Sequence, residues 1–149
     1  MKPYVLKDVE KEDLAVFKQI RSVVEAIPEI DLAGPEENKH GGKILVSCHM
    51  LGRALAHFFP VTCKDGYYFS RGWKHSWLET KNGHIIDHYP WGIIGGPILI
   101  GNHFNIPGFH LYHEARVSEV EEAEFLSHTA KVTKVVGETI KELGITIGL

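Results

Sequence analysis

Between Lys11 and Ile27 the apolar residues Leu14, Phe17, Ile20, Val23, Val24 and Ile27 recur mostly at intervals of three and four, which predicts one buried face of a helix. Pro28 is the expected stop, because proline disfavours helical backbone in the residue before it. No period is sustained from Pro28 to Gly42, and that stretch predicts a long loop. A second helical spacing, Leu51, Leu55 and Phe58, follows Ser47, a good N-cap residue, and ends at Pro60. Cys48 is therefore expected in the first turn of a buried helix. Beyond it the pattern changes. Asp65-Gly66 reads as a turn, and Tyr67 to Ser70, Trp73 to Thr80 and His84 to Tyr89 are rich in aromatic and β-branched residues, which predicts strands. Pro97 to Gly101 and Gly108 to Glu114 are expected as two more. Ser118-Glu119-Val120-Glu121 has the form of a capping box, opening a long amphipathic helix that Gly144 closes. Helices early and late with an antiparallel sheet between them predict an α+β fold. The 149 residues suit a single domain, 1–149.

Charge and composition narrow the partners. Lys plus Arg is 16 against 19 for Asp plus Glu, a formal net charge of −3, so no basic field draws the protein to phosphates and nucleic acid is not an expected partner. The opening residues lack the apolar core of a signal peptide, and the longest apolar stretch, Ile93 to Ile100, is too short to cross a bilayer. The expectation is a cytoplasmic protein with no membrane partner. Only two cysteines occur, Cys48 and Cys63, so no disulfide framework is expected and each thiol is judged alone. Ten histidines are the one anomaly, and histidine is both the proton carrier at neutral pH and the commonest metal ligand.

A thiol at a helix N-terminus meets unpaired N–H groups and the positive end of the helix dipole, which favour the thiolate and can face a developing oxyanion. A lone cysteine in a helix is more often a small buried hydrophobe. Cys48 gains meaning beside His75-Ser76-Trp77-Leu78-Glu79 and Ile85-Ile86-Asp87. Thiolate chemistry needs an imidazole to take and return a proton, and a carboxylate orients that imidazole through its other nitrogen. His75 and Asp87 fit these roles on two strands joined near Asn82-Gly83. Strand parity supplies a condition. A loop of Asn82 and Gly83 alone would put His75 and Asp87 on opposite faces. A loop of Lys81, Asn82 and Gly83 would set Trp77 opposite Asp87, with His75 its diagonal neighbour. Catalysis requires the longer loop.

A cysteine opening a helix, a strand reading His-x-Trp-x-Glu and an Asp on the next strand resemble the transglutaminase-like branch of the papain-like cysteine enzymes. The resemblance covers about Ile44 to Pro90, roughly a third of the chain. It implies a core in which the helix carrying the Cys packs on an antiparallel sheet carrying the His and Asp. It further implies Cys48 as nucleophile, His75 as general base and acid, and Asp87 as orienting residue. Such enzymes act on an amide or acyl bond through a thioester, as hydrolase, deamidase or amine transferase, with no cofactor. The substrate would be a peptide, a protein side-chain amide or a small amide. The side-chain oxyanion donor is less clear, since only Asn38, His40 and Lys43 stand ahead of Cys48 as polar candidates. Trp73, Trp77 and Ser47 are expected to line the cleft or its core wall. Two other readings stay open: a catalytically silent binding module of the same fold, and a histidine-rich metal-binding protein using His84 and His88 or His110, His113 and Glu114. The oligomeric state is not legible.

Overall fold

A computed structural model of the chain describes residues 9–27, 47–69, 74–88, 97–102 and 111–147. Among them are three α-helices, α1 (Lys11–Ala26), α2 (Cys48–Phe58) and α3 (Ala123–Glu142), and five strands, β1 (Val61–Tyr68), β2 (Lys74–Thr80), β3 (Ile85–Asp87), β4 (Ile98–Ile100) and β5 (Tyr112–Glu114). The strands form one antiparallel sheet in the order β4-β3-β2-β1-β5. The fold is α+β. Pro28, the 28–42 stretch, Trp73 and His110 lie outside the described residues.

The periodic residues of the helices form the main core. Phe17, Ile20 and Val23 of α1, Leu51, Ala54 and Leu55 of α2, and Val132, Val136 and Ile140 of α3 meet Leu78, Ile86 and Leu99 of the sheet. Burying side chains of this size contributes about 1.5–3 kcal/mol each. The opposite face carries a smaller cluster of Trp77, Ile85, Ile98 and Ile100, with Tyr112 against it. β2 is thus covered on both sides, so His75 and Trp77 belong to no solvent-facing stripe.

The β2–β3 register fixes the candidate site. Leu78 pairs with Ile86 and Glu79 with Ile85, and the Thr80 N–H donates to the His84 carbonyl at 2.9 Å. The loop is Lys81, Asn82 and Gly83, with Gly83 in the left-handed region at φ +82°. Trp77 therefore stands opposite Asp87, and His75 is its same-face diagonal neighbour. Asp13, buried in α1, clamps this hairpin by accepting the Thr80 hydroxyl at 2.7 Å and the Asn82 N–H at 3.3 Å.

Two sequence expectations are corrected. Asp65-Gly66 is not a turn but lies inside β1, because tertiary partners hold it extended: Arg53 and Ser76 bind the Asp65 carboxylate, and Gly66 pairs with both His75 and Glu114. The capping box does not open α3. Ser118–Glu121 is a 3-10 turn, and Glu121, the reciprocal partner such a box needs, is bound by Arg116, so the helix begins at Ala123.

Gly66 allows β5 to close on β1. A Cβ there would lie 1.8 Å from the His113 carbonyl oxygen, a backbone atom that cannot rotate away. Gly66→Ala is expected to destabilise the fold by roughly 3 kcal/mol, the upper end for overpacking, as read from chemical denaturation. A loss below about 1 kcal/mol would mean that β5 does not cross there.

Candidate active site

Cys48 is the first residue of α2, and Ser47 caps the helix by accepting the Met50 N–H on its hydroxyl at 3.3 Å. The cap leaves the Cys48 N–H with no acceptor within the helix. Cys48 is 7% exposed and belongs to neither apolar cluster.

His75 Nε2 donates to Asp87, with both carboxylate oxygens at 3.0 Å. The Tyr112 hydroxyl donates to Asp87 Oδ2 at 2.7 Å. Tyr112 comes from the far edge of the sheet, so the sheet must curl for it to reach β3. Burial opposes a charge on His75, but the hydrogen bond and negative charge of Asp87, with the Cys48 side chain acting in the same direction, outweigh it and hold the imidazole up at about 9. Burial alone would raise Asp87, yet the His75 hydrogen bond and charge keep it below the usual carboxylate range. Tyr112, buried and beside that carboxylate, is pushed well above an ordinary phenol and stays a donor. The structure thus brings together Cys48, His75 and Asp87 and adds Tyr112.

Trp77 is a buried wall of this face, its ring centroid 5.2 Å from Tyr112 and 6.3 Å from His75. Ser47 serves as the helix cap. Trp73, Asn38, His40 and Lys43 lie outside the described residues.

A second polar chain runs behind these groups. Arg53 binds both oxygens of Asp65, the Ser76 hydroxyl donates to Asp65 Oδ1 at 2.6 Å, and His49 Nδ1 lies 2.6 Å from Ser76 Oγ. His49 follows Cys48 and Ser76 follows His75, so the chain ties α2 to β2 one residue from each. Sequence reading missed it, as it missed Tyr112, since neither forms a local motif. The alternation of Val61 and Cys63 with Thr62 and Lys64 was the available sign of a strand leading into Asp65. Cys63 is a different thiol from Cys48. Burial pushes it up to about 12, more than the neighbouring Arg53 charge can offset.

The described histidines of the metal reading have separate partners. Nitrogen and oxygen atoms of Glu10, Asp13 and His84 lie within 4.8 Å of one another. However, His84 Nδ1 accepts the Asn102 N–H at 3.0 Å, so the neutral ring carries its hydrogen on Nε2 and donates it to Glu10. No lone pair is left there for a cation. His88 Nε2 donates to the Cys48 carbonyl at 2.7 Å, His113 stacks on Tyr67 and Glu114 pairs with Lys64.

No helix among the described residues is long and apolar enough to cross a membrane. The chain matches no family model, no curated protein and no solved structure.

Proposed function

We propose that this protein is a thiol enzyme with a transglutaminase-like, papain-like core that acts on an amide or related acyl bond through a thioester on Cys48. The observation that carries this reading is the buried His75 imidazole, held at Nε2 by Asp87 at 3.0 Å, with Cys48 at the start of α2 near enough to join Asp87 in raising its pKa. At neutral pH the imidazole holds its second proton, and the proposed reaction proceeds from the thiolate beside that imidazolium.

The Cys48 sulfur attacks the carbonyl carbon, and the oxyanion faces the N–H at the start of α2. Collapse of the tetrahedral intermediate breaks the C–N bond, and the amine leaves with the proton from His75, giving a thioester and a neutral imidazole. An acceptor then loses its proton to His75 as it attacks the thioester, which restores thiolate and imidazolium. Water as acceptor makes the protein a hydrolase or deamidase, and an amine makes it a transferase. Peptides, protein side-chain amides and small amides all satisfy this chemistry. One observation favours a second reading, a silent binding module of the same fold: at 7% exposure Cys48 offers little surface to a substrate.

Iodoacetamide labelling against pH, with Cys48 and Cys63 resolved by peptide mass, separates the two. At pH 6 Cys48 is expected to react at least about tenfold faster than Cys63, and His75→Ala is expected to remove that excess. Two thiols that react alike and ignore His75→Ala would leave the binding module as the reading.

A further inference from the structure

His88 is a buried titratable group that the mechanism above does not use. It is 1% exposed, and its Nε2 donates to the carbonyl oxygen of Cys48 at 2.7 Å, taking the second lone pair of a helical carbonyl. Its Nδ1 is buried with no partner among the described residues. An apolar side chain of the same shape would leave no such acceptor to satisfy. The helix also yields to it. Gly52, in the middle of α2, is the space the ring needs, since a Cβ there would lie 2.9 Å from His88 Cε1 and 2.8 Å from Cys63 Sγ. Glycine within a helix is destabilising relative to alanine. Two destabilising features therefore surround one hydrogen bond, and that bond ends on the candidate nucleophile.

Its geometry gives the bond a task. Asp87 and His88 are consecutive, and successive side chains at the end of β3 point to opposite faces. Asp87 is directed to His75 and His88 to Cys48. We propose that His88 is a positioning residue: its Nε2 hydrogen bond to the Cys48 carbonyl fixes the first turn of α2 against the end of β3 and so sets the separation of thiol and imidazole. This rests on the thiol-enzyme reading and extends it to the part that holds the nucleophile in register. Burial pushes the His88 pKa down to about 4 against the opposing charge of Asp87, with His75 and His49 adding to the lowering. The ring therefore remains a neutral donor across the working range.

The test compares the parent, His88→Phe and His88→Gln for the pH profile of Cys48 alkylation, with thermal melts alongside. Phenylalanine keeps the volume and removes the donor, whereas the glutamine amide can restore it. His88→Phe is expected to slow alkylation at pH 6 by roughly tenfold to a hundredfold, and His88→Gln to recover most of the loss. A merely structural role would move the melts and leave the pH profile alone. Nitrogen-15 shifts of His88 in the parent, which need no variant to fold, are expected to show a neutral ring protonated at Nε2 at pH 6. A folded His88→Phe with the parent profile overturns the proposal, and so does a His88 ring that is cationic or protonated at Nδ1. If instead the parent's own Cys48 ignores His75→Ala, the thiol-enzyme reading fails first, and the His75→Ala control identifies that case.

Discussion

Asp87→Ala is expected to lower turnover of a p-nitroanilide acyl donor by roughly 10²–10⁴-fold, within the range seen when an orienting carboxylate or a general acid is lost. The anilide is the suitable probe because its amine departs only with a proton. Asp87 is buried, accepts from His75 Nε2 and Tyr112, and supplies the largest influence raising the His75 pKa. Without it, burial drives the imidazole toward its neutral form and the thiolate–imidazolium state is lost at neutral pH. Asp87→Asn gives the sharper reading. The amide oxygen can still accept from Nε2, so orientation survives while the charge does not. The alkaline limb of the rate profile, set near pH 9 by His75 in the parent, should then move to lower pH. Tyr112→Phe keeps the charge and removes one donor, and should act on rate more weakly than either. An Asp87→Asn enzyme with the parent's rate and alkaline limb would remove Asp87 from the mechanism.

Folding stability should peak near neutral pH, with the two limbs belonging to different histidines. His75 is raised from 6.5 to about 9 on folding, so its contribution is complete below 6.5 and is lost as pH rises toward 9. His88 is lowered from 6.5 to about 4, so its contribution is present above 6.5 and is lost as pH falls toward 4. Each limb is worth on the order of 3 kcal/mol. Exposed Glu121, lowered from 4.5 by Arg116, overlaps only the acid end of this window, and the remaining shifted groups act outside it. Asp65 and Asp87, both held below 3.8, matter in stronger acid, and Cys63, raised from 9.0 to about 12, matters in stronger base. Denaturant unfolding between pH 4 and 9 should show the acid limb flattened in His88→Phe and the alkaline limb flattened in His75→Phe. An acid limb unchanged in His88→Phe would assign it elsewhere.

The sequence was most informative where local rules and tertiary demands agree. The spacing of Phe17, Ile20 and Val23 located α1, Ser47 located the start of α2, and strand parity tied a same-face His75 and Asp87 to the loop whose left-handed residue is Gly83, one of the two loops the sequence allows. It misled where a distant partner overrides a local preference. Asp65-Gly66 has turn chemistry, yet Arg53 and Ser76 hold the carboxylate and β5 lies across the glycine, so the strand continues. Glu121 fits a capping box but is engaged by Arg116. Tyr112 and the Arg53–Asp65–Ser76–His49 chain left no motif, because the bonds that define them join residues 25, 11 and 27 positions apart. A pattern of neighbours along the chain cannot encode such pairings without the fold that creates them.

The placement of β5 at the free edge of β1 bears on how the protein acquires its chemistry. β1, β2 and β3 are sequential antiparallel neighbours, so the pairing of His75 with Asp87 needs only short-range closure. Tyr112 must instead travel to the opposite margin of the sheet before its hydroxyl can reach the carboxylate. Closing that longer loop carries more entropy and ranks it among the later steps of folding. The histidine and the carboxylate that holds it are therefore paired early, and the hydroxyl that completes the carboxylate's bonds arrives afterwards with β5, so the full set of partners on Asp87 belongs to the completed fold alone.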